Sequence, residues 1–398
     1  MSPWLHVVGI GEDGLAGLAP ATRAAVEAAE VLVGGRRHLA MAEEIGAERI
    51  AWPSPWEALL GQLAALRGRR VAVLVTGDPL WFSGGERIVA AFGAEAVVHP
   101  HPSAFQLAAA RMGWPLQGVE CLSVHGRPAG RLLPHLHPGA RLLLLAEGPG
   151  SAAEVAALLT GAGWGASRLV ALSHMGGEAE GRREAQAGGW QGETPALATL
   201  AVECVPDGPP LPRTGLPDDA FQSDGTLTKR EVRVLTLARL QPAPGALLWD
   251  VGCGAGSVAI EWMRAARGAR AVGVEPRADR RALAAANAGA LGAPDLRLVA
   301  GEAPGALSGL PPPDAAFIGG GLSEATAEAA LAALRPWGRL VANAVTLESQ
   351  ALLTALHARH GGDLVRLAVS RAEALGGRTG WRPLMEVVQW ALRKGDGP

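Results

Sequence analysis

Tyrosine is absent from this sequence and lysine nearly so, Lys229 and Lys394 being the only two in 398 residues. Arginine must therefore meet any acidic ligand. With alanine abundant, the bias reads as that of a GC-rich genome rather than as selection for arginine. Cysteine is scarce as well. Cys121, Cys204 and Cys253 are odd in number and far apart, which excludes a disulfide framework or a CxxC metal site and fits a reducing compartment. Neither sign of charge dominates: a formal net charge of −2 gives no global attraction to nucleic acid or anionic membrane. Long apolar runs are missing too, none approaching the roughly 20 residues needed to span a bilayer. Met1 leads almost directly into Trp4-Leu5-His6-Val7-Val8, without a basic segment or a long apolar one. A cytoplasmic, unexported protein with no nucleic-acid or membrane partner is expected.

What is present suits folded domains, with 48% hydrophobic and 19% charged residues. The length exceeds one ordinary core, so two domains are expected. Pro206, Pro209, Pro210, Pro212 and Pro217 fall close together, and proline removes amide donors and restricts its neighbours. Residues 206–217 are read as the linker, with domains over 1–205 and 218–398. On both sides short apolar strands alternate with alanine- and leucine-rich helical stretches, the pattern of an α/β fold. In the first half strands are expected near Leu5–Ile10, Val31–Val33, Val71–Val75, Ala96–His99, Cys121–Val124, Arg141–Leu145, Arg168–Leu172 and Leu197–Glu203. In the second they fall near Leu247–Val251, Arg270–Val274, Arg297–Val299, Asp314–Ile318 and Arg339–Asn343. Two more, near Leu364–Val369 and Met385–Trp390, are expected to close the chain as an antiparallel edge.

In the second half a strand ending Trp249-Asp250 runs into Val251-Gly252-Cys253-Gly254-Ala255-Gly256, with a helix expected from Ser257. Glycines in such a turn let backbone approach a ligand beyond the carboxyl ends of the strands, and the helix N-terminus suits an anion. The next strand ends in Glu275, an acid placed to accept from ribose hydroxyls. The third leads into Gly301-Glu302-Ala303. The turn reads GxGxG rather than the GxGxxG of a nicotinamide site.

Through DVGCGAG, GVE and GEA this half resembles the class I S-adenosylmethionine-dependent methyltransferases, which implies a Rossmann-like domain with a mostly parallel sheet. The segments Pro217–Phe221, Thr228–Arg233, Leu248–Asp250 and Phe317–Gly321 look like the decarboxylating precorrin methyltransferases of cobalamin biosynthesis. That resemblance implies cofactor contacts at Thr228, Asp250, Gly252, Cys253, Gly254, Ala255, Gly256, Glu275, Glu302 and Ala303. Thr228 also opens a Thr-x-x-Glu capping box, worth about 1 kcal/mol, and capping is the role preferred for it. Gly319 and Gly320 would leave room for a flat, bulky substrate, unless they form a mere loop. Asn343 and Glu348 flank the fifth strand tip and are the catalytic candidates, with capping an equal alternative.

The first half opens with Gly9-Ile10-Gly11-Glu12-Asp13-Gly14, formally GxGxxG, but no acid ends the second strand, which disfavours a dinucleotide. Thr76-Gly77-Asp78-Pro79-Leu80, His101-Pro102-Ser103-Ala104-Phe105 and Thr194-Pro195-Ala196 follow in order. These segments resemble the tetrapyrrole methylase family, a fold of two α/β subdomains with S-adenosylmethionine folded into the cleft between them. The resemblance implies that Gly77, Asp78, Leu80, Ser103, Ala104 and Ala196 surround the cofactor. The family's first loop usually reads GxGPG, and here Glu12-Asp13 replaces Pro-Gly.

Together the resemblances imply a homo-oligomeric enzyme that methylates a polycarboxylate tetrapyrrole. C15 methylation and loss of the C12 acetate carboxyl would fall to the second domain, and C5 methylation to the first. Substrate carboxylates call for arginines, which pair them bidentately; Arg230, Arg233, Arg371, Arg378 and Arg382 are the candidates. The pairs His99/His101, His135/His137 and His357/His360 lack the converging ligands of a metal site, so no metal is expected. Arg36-Arg37 and Lys229-Arg230 read as surface charge. Two rivals stay open: a methyltransferase pair acting on a non-tetrapyrrole or protein target, and one methyltransferase carrying a silent binding module.

Overall fold

A computed structural model of the chain describes residues 3–395; residues 1, 2 and 396–398, the outer ends of the two expected domains, lie outside the described residues. The chain divides into two compact units, Met1–Ala129 with Leu136–Pro209, and Gly130–His135 with Pro210–Pro398.

In the first unit β1 (Leu5–Ile10), β2 (Val31–Gly34), β3 (Glu48–Ala51), β4 (Val71–Thr76) and β5 (Ala96–His99) form a parallel sheet in the order β3-β2-β4-β1-β5. Its central strands are near-continuous apolar runs because both faces are covered. Alternate residues serve opposite faces: Leu5 and Val7 join the core with Leu59 and Ile88, while Val8 and Ile10 join that with Val26 and Leu39. A second sheet contains β6 (Glu120–Ser123), β7 (Arg141–Leu145), β8 (Arg168–Ser173), β9 (Gly181–Gln186) and β10 (Ala198–Glu203) in the order β6-β7-β10-β8-β9. Its β6–β7 pair is parallel and the others antiparallel. The sequence did not reveal β3 or β9. Both are edge strands with mostly exposed residues, and Arg182, Arg183 and Glu184 on β9 are the charges that protect an edge.

In the second unit β11 (Leu247–Val251), β12 (Arg270–Val274), β13 (Arg297–Val299), β14 (Ala315–Ile318), β15 (Arg339–Ala344) and β16 (Asp363–Leu367) are joined by a late strand. The hairpin of β17 (Ser370–Leu375) and β18 (Arg378–Pro383) precedes that strand, β19 (Val387–Arg393). The sheet order is β13-β12-β11-β14-β15-β19-β16. β19 runs antiparallel between β15 and β16, so the closing strands do not both lie at the edge: β19 is internal and β16 is outermost. Its apolar residues Val387, Val388 and Trp390 are buried there. The strand order reverses beside β11, which places a crevice over the carboxyl ends of β11 and β14.

Residues 206–217 contain neither helix nor strand, but they are not a free tether throughout. The amides of Gly215 and Leu216, which no ladder satisfies, donate to the buried carboxylate of Glu261 at 2.5 and 3.0 Å. Arg264 donates to the carbonyls of Arg213 and Pro212 at 2.9 and 3.0 Å. The second half of the proline-rich stretch is thus part of the second unit.

Candidate functional site

At the carboxyl end of β11 the chain enters a turn that only glycine accommodates. Gly252, Gly254 and Gly256 have φ of +67°, +52° and +80°, in the left-handed region. The turn hangs on β12 through the amides of Gly252 and Cys253, which donate to the Val274 carbonyl at 2.9 and 3.2 Å. A second glycine loop follows β14, where the amides of Gly319 and Gly320 donate to the Val251 carbonyl at 3.0 and 3.2 Å. The two loops touch: a Cβ on Gly252 would sit 2.5 Å from the Gly320 Cα. A Cβ on Gly254 would meet nothing within 4 Å, so this residue offers bare backbone to open space.

That space is a cavity of about 540 Å³, lined by both glycine loops, Thr228, Asp250, Glu275, Glu302 and Ala303. Ser257 and Val258, which open the helix Ser257–Ala265, also line it. Two carboxylates hold the floor. Glu275 is 3% exposed; it accepts from the Gly254 amide at 3.0 Å and the Arg277 amide at 3.1 Å, which fixes the turn. Asp250 is 1% exposed, and its Oδ2 accepts from the Ala259 amide at 2.9 Å. Its Oδ1 is buried without a hydrogen-bond partner. Burial pushes the Asp250 carboxyl up to about 7; the Ala259 hydrogen bond opposes this and the charge of Glu275 adds to it. A buried acceptor with no donor is costly, and a cationic ligand group in the cavity would satisfy it. Burial, reinforced by Asp250 and Glu275, also raises the Cys253 thiol far above its usual range.

The first unit has its own cavity, about 680 Å³, lined from both of its sheets. Gly11 and Gly77 line it; a Cβ on Gly9, in the strand behind, would lie 2.1 Å from the Gly77 carbonyl oxygen, and one on Gly11 2.8 Å from the His101 side chain at Nε2. Along one wall Glu12 accepts from Arg37 through Oε1 and from His174 Nδ1 through Oε2, the latter at 2.9 Å. Arg37 also donates to Thr76 Oγ1 at 3.0 Å. Burial alone would raise the Glu12 carboxyl, but the hydrogen bonds and charges of His174 and Arg37 prevail and hold it below the usual carboxylate range.

Two families match different stretches of the chain. Residues 219–394 match the precorrin methyltransferase domain family, and residues 4–188 match the tetrapyrrole (corrin/porphyrin) methylases. A Sinorhizobium sp. protein named precorrin-6Y C(5,15)-methyltransferase (decarboxylating) is 46% identical, the alignment covering 99% of this chain and 97% of the relative. The chain belongs to the precorrin-6Y C5,15-methyltransferase (decarboxylating) family. A Mycobacterium tuberculosis protein of the same name is 40% identical, over 98% of this chain and 99% of its own. Among solved structures, the C-terminal domain of precorrin-6Y C5,15-methyltransferase from Rhodobacter capsulatus is 48% identical. It covers 46% of this chain and 100% of its own, with a TM-score of 0.44.

The residues expected to hold ligand in this family member divide as follows. Asp250, Gly252, Cys253, Gly254, Ala255, Glu275, Glu302, Ala303, Gly319, Gly320 and Thr228 all line the C-terminal cavity, while Gly256 instead caps the helix behind it. Thr228 does not form the expected capping box. The helix Arg230–Leu240 starts two residues later with Lys229 at its cap, because Glu231 is engaged by Arg371 at 2.6 Å. Gly77, Ala104 and Ala196 line the N-terminal cavity. Asp78 instead accepts from the Leu80 amide at 2.8 Å in its own turn. Leu80 is exposed, and Ser103 caps the helix Ala104–Met112 in a capping box with Gln106.

Of the arginines expected to bind substrate, Arg233 cannot. It is fully buried and bonded to Glu261, Asp218 and the carbonyls of Thr228 and Leu216. Arg371 is committed to Glu231 and Asp218 at 2.6 and 2.8 Å. Arg378 and Arg382 are exposed on the β17–β18 hairpin, and Arg230 is exposed at its helix start. The arginines that do line the C-terminal cavity are Arg277 and Arg280, which the sequence did not single out. Asn343 is held by Thr236 and Gln389, both at 3.0 Å, and Glu348 is exposed in the first turn of Leu347–His360; neither lines the cavity. Arg37, read as surface charge, lines the N-terminal cavity instead. Among the described residues no group of three or more His, Cys, Asp or Glu could hold a metal ion, and no helix is long and apolar enough to cross a membrane.

Proposed function

We propose that this chain converts precorrin-6Y to precorrin-8X in cobalamin biosynthesis, methylating C5 and C15 of the macrocycle and removing the carboxyl of its C12 acetate. S-adenosylmethionine is the methyl donor at both cavities. The observation that carries the reading is Asp250 Oδ1, a buried acceptor without a donor, beside the bare backbone of Gly254. An α-ammonium group fits the first, and the close approach of a nucleoside amino acid fits the second.

When bound, the sulfonium supplies an electrophilic methyl group. The chain's own contribution is mostly alignment. Asp250 would pair with the ammonium, Glu275 would accept from the ribose hydroxyls beside its two amide bonds, and the helix start at Ser257 and Val258 suits the carboxylate. In the loop after β14 a Cβ on Gly319 would strike the Phe317 ring at 2.7 Å and one on Gly320 would meet Gly252 at 3.5 Å, whereas one on Gly321 would meet nothing within 4 Å, so Gly321 is the position that leaves room for a flat macrocycle. A reduced tetrapyrrole meso carbon is enamine-like, so holding it against the methyl group is the larger part of catalysis. Loss of CO₂ is eased by the conjugated ring, which accepts the electron pair as cofactor sinks do. Arg277 and Arg280, on the cavity wall, are placed to meet substrate carboxylates, although Asp279 and Asp224 compete for them.

The test is turnover of precorrin-6Y by the full chain with S-adenosylmethionine. Mass spectra should show a product with both methyl groups added and one carboxyl lost, and calorimetry should count two donor sites per chain. A single donor site would favour the silent-module rival. Two sites with no precorrin turnover would favour a different methyl acceptor.

A further inference from the structure

The Glu12–Arg37–His174 cluster has no role in cofactor binding in the reading above, yet it lines the N-terminal cavity. His174 is one of few non-glycine residues with left-handed backbone, φ +48°. This strained conformation is fixed by its amide, which donates to the Leu197 carbonyl at 3.1 Å, and by its carbonyl, which accepts from the Gly177 amide at 3.0 Å. Strain of this kind persists where surrounding structure imposes it, and it concentrates at functional sites. The turn also presses on Glu12, since a Cβ on Gly177 would lie 2.9 Å from the Glu12 Cβ.

The hydrogen bonds determine the imidazole tautomer. Glu12 is ionised and accepts only, so His174 Nδ1 must carry the proton it donates. In the neutral form of the ring Nε2 then holds the lone pair, and among the described residues it has no hydrogen-bond partner. Arg37 takes the other Glu12 oxygen and Thr76, which orients the carboxylate and leaves that guanidinium already paired. The cluster is therefore not built as a clamp for a substrate carboxylate. It is built as an oriented base.

We propose that His174, positioned by Glu12, accepts the proton released when the N-terminal unit methylates the macrocycle. This rests on the reading of that unit as a methyltransferase. The meso carbon forms its new C–C bond with the enamine electron pair, while the S–CH₃ bond of the sulfonium donor breaks and its pair returns to sulfur. The macrocycle thereby gains the positive charge that the donor loses. One proton then passes from the macrocycle to His174 Nε2, which restores the charge of the ring and leaves an imidazolium on Glu12. Other titratable or charged side chains lining the cavity are His125 and Arg127 in the turn after β6 and Glu86 and Arg87 in the helix Gly85–Phe92. None of these four carries a hydrogen bond to His174.

Two measurements on the full chain test this. In the unloaded protein, imidazole ¹⁵N NMR should show His174 protonated at Nδ1 near neutral pH, and Glu12→Gln should disturb that preference. A wild-type ring protonated only at Nε2 overturns the proposal without recourse to any variant. In turnover, His174→Ala should slow methylation at C5 by about 100-fold or more, the usual range for losing a general base, with partial rescue by added imidazole and donor binding retained. A His174→Ala enzyme that methylates C5 at the wild-type rate also overturns it. Failure of the wild-type chain to methylate a precorrin at all would remove the functional reading instead.

Discussion

Arg233 and Glu261 form an ion pair in which neither side chain is exposed, with Nε 2.6 Å from Oε1. The pair is a junction rather than a ligand site. Glu261 also holds the amides of Gly215 and Leu216, while Arg233 stacks on Phe221, 4.8 Å from the ring centroid, and holds Asp218. Removing one partner of a buried pair strands the other and typically costs about 3–5 kcal/mol. Arg233→Leu should therefore lower the unfolding transition of the C-terminal unit in scanning calorimetry. An unchanged transition would mean that the segment around 215–218 is held by something else.

Asp250 gives the C-terminal cavity a pH dependence of defined sign. Its folded value of about 7 lies above the roughly 3.9 of an unfolded aspartate. The unfolded chain therefore loses this proton first, and the stability of the unliganded unit falls as pH rises from about 4 to about 7, then levels off. The full effect is on the order of 4 kcal/mol. Asp250→Asn should flatten that slope in urea titrations at several pH values.

Donor binding should run the other way. A cation favours the ionised carboxyl, so affinity at the C-terminal cavity should weaken by up to about tenfold for each unit below pH 7. Calorimetry in buffers of different ionisation enthalpy should detect proton release on binding in that window. Asp250→Asn should abolish it.

Gly252→Ala tests the contact between the two glycine loops. The new methyl group would fall 2.5–2.7 Å from the backbone of Gly320, at a φ of +67° that alanine resists. The calorimetric count of donor sites should fall from two to one, with the N-terminal cavity unaffected. A retained count of two would show that the loops separate at little cost.

Thiol reactivity offers a simple check on burial. Burial pushes Cys204 up to about 12 and also raises the Cys253 thiol, and only thiolates react readily. Both should resist iodoacetamide at pH 8 in the folded protein and react on denaturation. Bound donor should leave this pattern unaltered.

The central strands and both glycine turns were legible because buried parallel strands write themselves as apolar runs and because left-handed turns demand glycine. The expected Leu5–Ile10, Arg141–Leu145, Leu247–Val251 and Arg270–Val274 match β1, β7, β11 and β12 residue for residue. Edge strands such as β3 and β9 carry no such pattern. Side-chain partnerships were the least legible. Arg233 looked available because its partner Glu261 lies 28 residues on, across a helix packing that no local motif announces. Arg37 looked like surface charge because its meaning depends on Glu12, 25 residues away, and on His174, which lies 162 residues from Glu12. The one local trace of that cluster was Glu12-Asp13 standing where Pro-Gly is usual.

The position of β19 bears on how the second unit is made. Its seven residues are translated after every other strand of that sheet, yet they sit inside it and pair with both β15 and β16. During synthesis β16 has no neighbour to pair with until Val387–Arg393 has left the ribosome. A chain stopped before Val387 would carry an intact glycine cradle on a sheet with an open, apolar side, a state suited to chaperones and proteases rather than to catalysis.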